Sequence, residues 1–386
     1  MSSMAEKPKF TLDENDAVEP DPPSVEQPAP ASAPPKAAAS GSYSRDDFSV
    51  SEVALAGLKL AQDVENGEYH PVILIGSAAS GKTSLLLSLF ATIKIEPELR
   101  SGLSMGDPIL DRETDYGRYI YENAVQFFGQ KTQDFIEGRA APKTSLQYPF
   151  FVPIILRPEG KPEQKFAFME SNGEWYRPDR STSELFPPLR RQIEDFIANY
   201  AGSITFIHLV PYTQQAVRSS SVDRQVDAAE MLDASLAIAG ALQAYEAVRL
   251  ERHKDRHLML VTKWDAHSPP GLSKLEVLSE TSEDVDGFVR EHYPQALTAL
   301  QALGLRDAQV FMNSYCSGIM NDAGILILKQ DNELRPAVMN FPINLWTWLY
   351  RSALEARQQP VLSPFPAAPK ESEFKLFLQR LLNRFF

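Results

Sequence analysis

Short apolar runs alternate along this chain with stretches in which apolar side chains recur every three or four positions. The runs at 72–75, 203–210 and 258–261 are nearly continuous and of strand length, as strands buried on both faces require. Tyr148–Leu156, the segment from Lys165 to Glu170 and the segment from Gln309 to Asn313 read as further strands. Helical spacing fills the intervals. Ser51–Leu60 reads as a short leading helix, and the segment after residue 82 as another. In Asp111–Phe135, Tyr116, Ile120, Ala124, Phe127 and Phe128 share a helical face. Ser181–Tyr200 reads as a helix opening at Ser181-Thr-Ser-Glu184, and Asp284–Leu303 as another. Arg224–Arg252 reads as a long alanine-rich helix with Leu232, Leu236, Ala239, Leu242 and Tyr245 on one face. A helix from Pro342 to Tyr350 closes the series, with Trp346 and Trp348 expected in the core. Strands alternating with helices predict a doubly wound, mostly parallel α/β sheet with helices on both faces and ligands at the carboxyl ends of the strands.

One segment adds chemistry to this frame. The strand Pro71–Ile75 runs into Gly76, Ser77, Ala78, Ala79, Ser80, Gly81, Lys82, Thr83 and Ser84, and then into helical spacing. That is the G-x-x-x-x-G-K-T phosphate loop in its strand–loop–helix setting. Gly76 and Gly81 let backbone N–H groups curl around an anion, and the following helix turns its positive dipole end toward it. Lys82 supplies a mobile positive charge for the terminal phosphates, and Thr83 a hydroxyl for Mg²⁺. The chain is expected to bind a nucleotide.

Downstream, the strand 165–169 ends at Glu170, with Gly173 and Glu174 beyond it. Thr262-Lys263-Trp264-Asp265 follows the run 258–261, and Asn313-Ser314-Tyr315 ends the last strand. This order resembles the signature series of P-loop GTPases of the TRAFAC class (translation-factor and Ras-like), in particular bacterial stand-alone regulatory forms with a double-GTPase-like domain. The resemblance covers residues 66–350 and implies GTP or GDP with Mg²⁺ as ligand. It assigns guanine recognition to Asp265, packing over the base and bracing of the phosphate loop to Lys263, a place in the same nucleotide-binding motif to Thr262, and the closing loop to Ser314 and Tyr315. Gly173 would sense the γ-phosphate, Glu174 would orient the attacking water, and Lys82 would serve catalysis. Mg²⁺ would fall to Thr83, to Thr144 ahead of the strand 148–156, and to Glu170.

The departures are Glu170 where the family has Asp, Glu174 where it has Gln or His, and Ala78 and Ala79 where it usually has glycines. Slow GTP hydrolysis by a regulatory switch is the expectation. A pseudo-GTPase interaction module and an ATP-using P-loop NTPase remain alternatives.

Composition changes this picture little. Of 386 residues, those at 1–45 form a Pro/Ala-rich arm that cannot bury enough surface to order itself. The GTPase-like domain is placed at 46–356, a proline-rich linker at 357–370, and an amphipathic helix at 371–386 with Phe374, Phe377, Leu378, Leu381, Leu382 and Phe385 on one face. The switch regions, the arm and that helix are the candidate contacts for protein partners, and the helix also suits peripheral contact with a membrane surface. A net charge of −13 argues against nucleic acid as a partner. A single cysteine, Cys316, suits a reducing compartment, and no apolar run is long enough to span a bilayer, so a cytoplasmic location is expected. The six histidines show no metal-ligand spacing.

Overall fold

The computed structural model describes residues 59–77, 79–95, 102–103, 115–139, 150–158, 160–170, 186–212, 221–267, 273, 278, 283–320, 326–327 and 334–357. A seven-stranded sheet organises them. In chain order its strands are β1 (His70–Ile75), β2 (Gly102–Leu103), β3 (Phe150–Leu156), β4 (Gln164–Glu170), β5 (Thr205–Pro211), β6 (Arg256–Thr262) and β7 (Val310–Ser314). They lie in the order β2-β3-β4-β1-β5-β6-β7. Only β3 runs against its neighbours, pairing antiparallel with β2 and β4; the other pairings are parallel. Two further short strands, β8 (Ile319–Met320) and β9 (Leu326–Ile327), pair with each other outside this sheet.

Every residue of β1 and β5 is buried, which is why these segments read as unbroken apolar runs rather than as alternating ones. One face is covered by α1 (Lys82–Ile95) and α8 (Leu334–Arg357). There Trp346 of α8 lies edge-on to Phe166 and Phe168 of β4, and its indole N–H donates to the Leu89 carbonyl of α1 at 2.9 Å. The opposite face carries α4 (Phe186–Asn199) and α5 (Ser221–Val248), where Phe196 meets Phe151 and Tyr245 meets Phe206. The fold is thus a doubly wound, mostly parallel α/β sheet with helices on both faces. β1 is the switch point: the chain leaves it toward β3 and β4 on one side and returns to β5 on the other.

Among the described residues, the insertion expected ahead of β3 holds the short strand β2 and then α2 (Asp115–Gln126), a π-helical turn at Phe127–Lys131 and α3 (Thr132–Ile136). Phe90 of α1 packs against Phe127, Phe128 and Phe168, and the Lys94 ammonium donates to the Gly129 carbonyl at 3.1 Å. The π turn is where Thr132 donates to the Phe127 carbonyl five residues back.

Four sequence expectations need correcting. The helix drawn over Asp284–Leu303 is two helices, α6 (Glu283–His292) and α7 (Pro294–Ala302), because Pro294 lacks the N–H that would continue α6 and instead opens α7. The closing helix begins well before Pro342, which sits inside α8. The leading helix covers 59–66 among the described residues, so it extends past Leu60. On α5 the inward face is Ala234, Ala237, Ile238, Ala241, Leu242 and Tyr245, whereas Leu232 and Leu236 are 46% and 38% exposed. Small side chains let α7 approach α5 closely, with Ser235 bonded to Gln295 and to the Ala296 amide, and this turns the two leucines outward. The arm 1–45, the linker and the helix 371–386 lie outside the described residues.

Candidate functional site

The carboxyl ends of β1, β5, β6 and β7 bring the predicted site segments together. The phosphate loop leaves β1 at Gly76. A Cβ at Gly76 would stand 2.5 Å from Ser80 Oγ and 3.1 Å from both Cβ and O of Leu209 in β5, so any larger residue there would crowd the loop against β5. Gly81 has φ +93°, and its α-carbon faces Thr262: an added Cβ would lie 3.6 Å from the threonine side chain. Ala79 also sits in the left-handed region at φ +59°, a conformation that costs a residue with a Cβ about 1 kcal/mol.

Lys82 opens α1 and is buried. Its ammonium donates to the carbonyls of Gly76 and Ser77, each at 2.8 Å. The positive charge is therefore held over the mouth of the loop by the loop's own backbone. Thr83 and Ser84, in the first turn of α1, are partly exposed, and Leu85 N–H donates to the Gly81 carbonyl to complete that turn. Ser77 and Ser80 are buried, and Ser80 Oγ has no hydrogen-bond partner among the described residues.

The second segment meets the first through Thr262. Its hydroxyl donates to the Ser80 carbonyl at 2.7 Å, while its own carbonyl accepts from Tyr212 N–H at 2.8 Å. Lys263 then turns left-handed (φ +59°, ψ +32°) and is exposed, and Trp264–Ala266 form a 3-10 turn. Asp265 is half-buried at the centre of that turn. The closing segment joins by backbone: Tyr315 N–H donates to the Val261 carbonyl at 2.7 Å and Trp264 N–H to the Tyr315 carbonyl at 3.2 Å. Ser314 ends β7, buried. The Tyr315 side chain faces inward, its hydroxyl 2.6 Å from Ser88 Oγ of α1, and burial raises its pKa. Tyr315 therefore meets the candidate site with its main chain alone.

Gly76, Ser77, Ala79, Ser80, Gly81, Lys82, Thr83, Ser84, Thr262, Lys263, Asp265, Ser314 and Tyr315 are thus gathered at one end of the sheet. Ala78, Thr144, Gly173 and Glu174 lie outside the described residues. Glu170 is the last residue of β4, two strands from β5, and only its backbone is described. Among the described residues no group of three or more His, Cys, Asp or Glu forms a metal site.

Sequence reasoning missed an aromatic cluster beside this end of the sheet. Trp264 stacks on His267 (centroids 4.3 Å apart, planes at 20°), and Tyr212 packs edge-on to both. Tyr212 also meets Phe288 of α6 at 5.0 Å. The signal was present in Trp264 itself, a large aromatic inside an otherwise polar loop motif. Sequence reasoning also passed over a buried histidine pair, His208 Nε2 to His257 Nδ1 at 3.0 Å, on adjacent strands β5 and β6.

No protein-family model matches this chain, and no curated protein matches it. Among solved structures, that of Toc33 from Arabidopsis thaliana, a dimerization-deficient mutant, aligns with 76% of this chain and 92% of its own, at 12% identity and a TM-score of 0.30. That likeness is too loose to carry a site or an activity across. The fold class rests on strand order and register, and the site on the geometry above.

Proposed function

We propose that this protein binds a guanine nucleotide with Mg²⁺ at the carboxyl end of its sheet and hydrolyses GTP slowly as a regulatory switch. The observation that carries the reading is the joint between the two recognition segments, in which Thr262 of the T-K-W-D loop is bonded to the backbone of the phosphate loop beside Gly81 and Lys82. A phosphate-binding element and a carboxylate suited to a guanine ring are thereby fixed to one another.

In this reading the Lys82 ammonium exchanges its two carbonyl acceptors for phosphate oxygens, which carry full negative charge and bind a cation more strongly. Asp265 accepts from the paired N–H donors of guanine, a pair that adenine lacks, so an adenine would leave the carboxylate unsatisfied at a cost of about 1–3 kcal/mol. The Thr83 hydroxyl, in the first turn of α1, suits a hard cation that prefers oxygen donors, and Mg²⁺ bound there would neutralise charge on the terminal phosphates. Thr144 and Glu170 would complete its ligands. Gly173 would donate to the γ-phosphate, and Glu174 would hold the attacking water. Without a cationic group supplied by a partner, turnover of about 10⁻⁴–10⁻² s⁻¹ is expected.

A second reading, tight binding with no turnover, is favoured by Ala79, which places a methyl group on a left-handed backbone within the loop. Calorimetric titration with GTP, GDP, ATP and ADP, with and without Mg²⁺, followed by single-turnover hydrolysis, separates the readings. Magnesium-dependent binding of GTP and GDP with slow phosphate release supports the switch. Binding without release supports the second reading, and equal or better binding of ATP overturns both.

A further inference from the structure

We propose that Trp264 is a specificity-determining positioning residue: its buried ring locks the turn that carries Asp265 and thereby sets base selectivity. This rests on the proposed guanine reading and deepens it.

The backbone alone does not favour this loop. Lys263 is left-handed without being glycine, a state that costs about 1 kcal/mol and persists only where neighbouring contacts enforce it. A 3-10 turn of three residues is also weakly held by its own hydrogen bonds; here they are Ala266 N–H to the Lys263 carbonyl at 2.9 Å and His267 N–H to the Trp264 carbonyl at 2.9 Å. Asp265 itself is half-buried and lies between those bonds.

Trp264 supplies the missing constraint from both of its ends. Its ring is buried among His267 and Tyr212, and Tyr212 is in turn packed on Phe288 of α6. A buried tryptophan carries a large contact area with few rotatable bonds, so it fixes orientation at low entropic cost. Its backbone N–H is tied to Tyr315, and Tyr315 is anchored to α1 through Ser88. The turn is therefore clamped between α6 and α1, and Asp265, the next residue, inherits its direction from that clamp. The indole Nε1 has no hydrogen-bond partner among the described residues, so the ring is placed by shape rather than by that donor.

The test uses the full chain and three probes: GTP, ATP and tripolyphosphate, each with Mg²⁺. Tripolyphosphate reads the phosphate loop without a base. For Trp264→Ala the ratio of GTP to ATP affinity is expected to fall by about tenfold or more, while tripolyphosphate affinity stays within about threefold. Trp264→Phe, which keeps a ring and removes the indole N–H, is expected to retain the unaltered ratio within about threefold. A thermal melt accompanies each variant, and if Trp264→Ala does not fold, Trp264→Leu takes its place with the same expectation. Parallel weakening of GTP and tripolyphosphate would overturn the inference, as would a Phe variant no more selective than Ala. If the unaltered protein shows no preference for GTP over ATP, the base-loop reading fails and this inference fails with it. The supporting result is a ratio lost in Trp264→Ala (or Trp264→Leu) and kept in Trp264→Phe and in the unaltered protein.

Discussion

Thr262 Oγ1 donates to the Ser80 carbonyl at 2.7 Å in a buried setting, joining two segments 182 residues apart. The turn beside it needs glycine for its backbone: Gly81 takes a positive φ that other residues resist.

Removing that donor while keeping side-chain shape should loosen the phosphate loop. In Thr262→Val the Ser80 carbonyl loses a buried partner, worth about 1–3 kcal/mol. Nucleotide affinity should fall by about fivefold or more, with a smaller drop in melting temperature. Calorimetry beside a thermal melt checks this. Unchanged affinity would show that the joint does not shape the site.

Gly76→Ala should destabilise the fold. The new methyl group would press on Ser80 Oγ and, more seriously, on the Leu209 backbone carbonyl, which cannot rotate away. Overpacking of this kind costs about 1–3 kcal/mol. In the Gly76→Ala/Ser80→Ala double variant the hydroxyl clash is gone and the Leu209 clash remains, so denaturant unfolding should show partial recovery only.

Ala79→Gly should raise stability. Relief of a left-handed Cβ gains about 1 kcal/mol, offset in part by the greater freedom of glycine in the unfolded chain. A net gain of some tenths of a kcal/mol, read as a higher unfolding midpoint, is expected. A lower midpoint would mean that the methyl group makes contacts that outweigh its strain.

Stability should fall as the solution is acidified below pH 6.5. Burial pushes His208 down to about 3; burial, aided by Arg256 and Arg357, does the same to His70. Burial together with His208 holds His257 well below its ordinary value. Between those values and 6.5 the unfolded chain binds protons that the folded one refuses, so stability rises with pH through this window and is lost on descending it. Each such proton contributes about 1.4 kcal/mol per pH unit. The facing nitrogens of His208 and His257 share one proton at 3.0 Å, and a second would set two donors against each other. Denaturant midpoints from pH 7 to 4 check this; a midpoint that does not move would contradict it.

The strands and the phosphate loop could be read from sequence because their determinants are local. β1, β5 and β6 are buried on both faces and so spell unbroken apolar runs, and Gly76, Gly81 and Lys82 stand at fixed spacing. What could not be read depends on packing. The outward turn of Leu232 and Leu236 follows from the close approach of α7 to alanines of α5. The inward turn of Tyr315 follows from a hydroxyl partner, Ser88, 227 positions away. The aromatic cluster around Trp264 joins Tyr212, just beyond β5, the T-K-W-D loop and α6, and no window of sequence contains it. The break at Pro294, in contrast, was local and was there to be seen.

The central claim, guanine recognition by Asp265 beside a working phosphate loop, is tested by exchanging the base. Xanthine carries a carbonyl oxygen where guanine carries its amino group, so an amide in place of the carboxylate should donate an N–H to it. The unaltered protein is predicted to prefer GTP to XTP, and Asp265→Asn to reverse that preference, with tripolyphosphate bound equally by both. Loss of GTP binding without any gain for XTP, or a preference that does not depend on residue 265, would contradict the account.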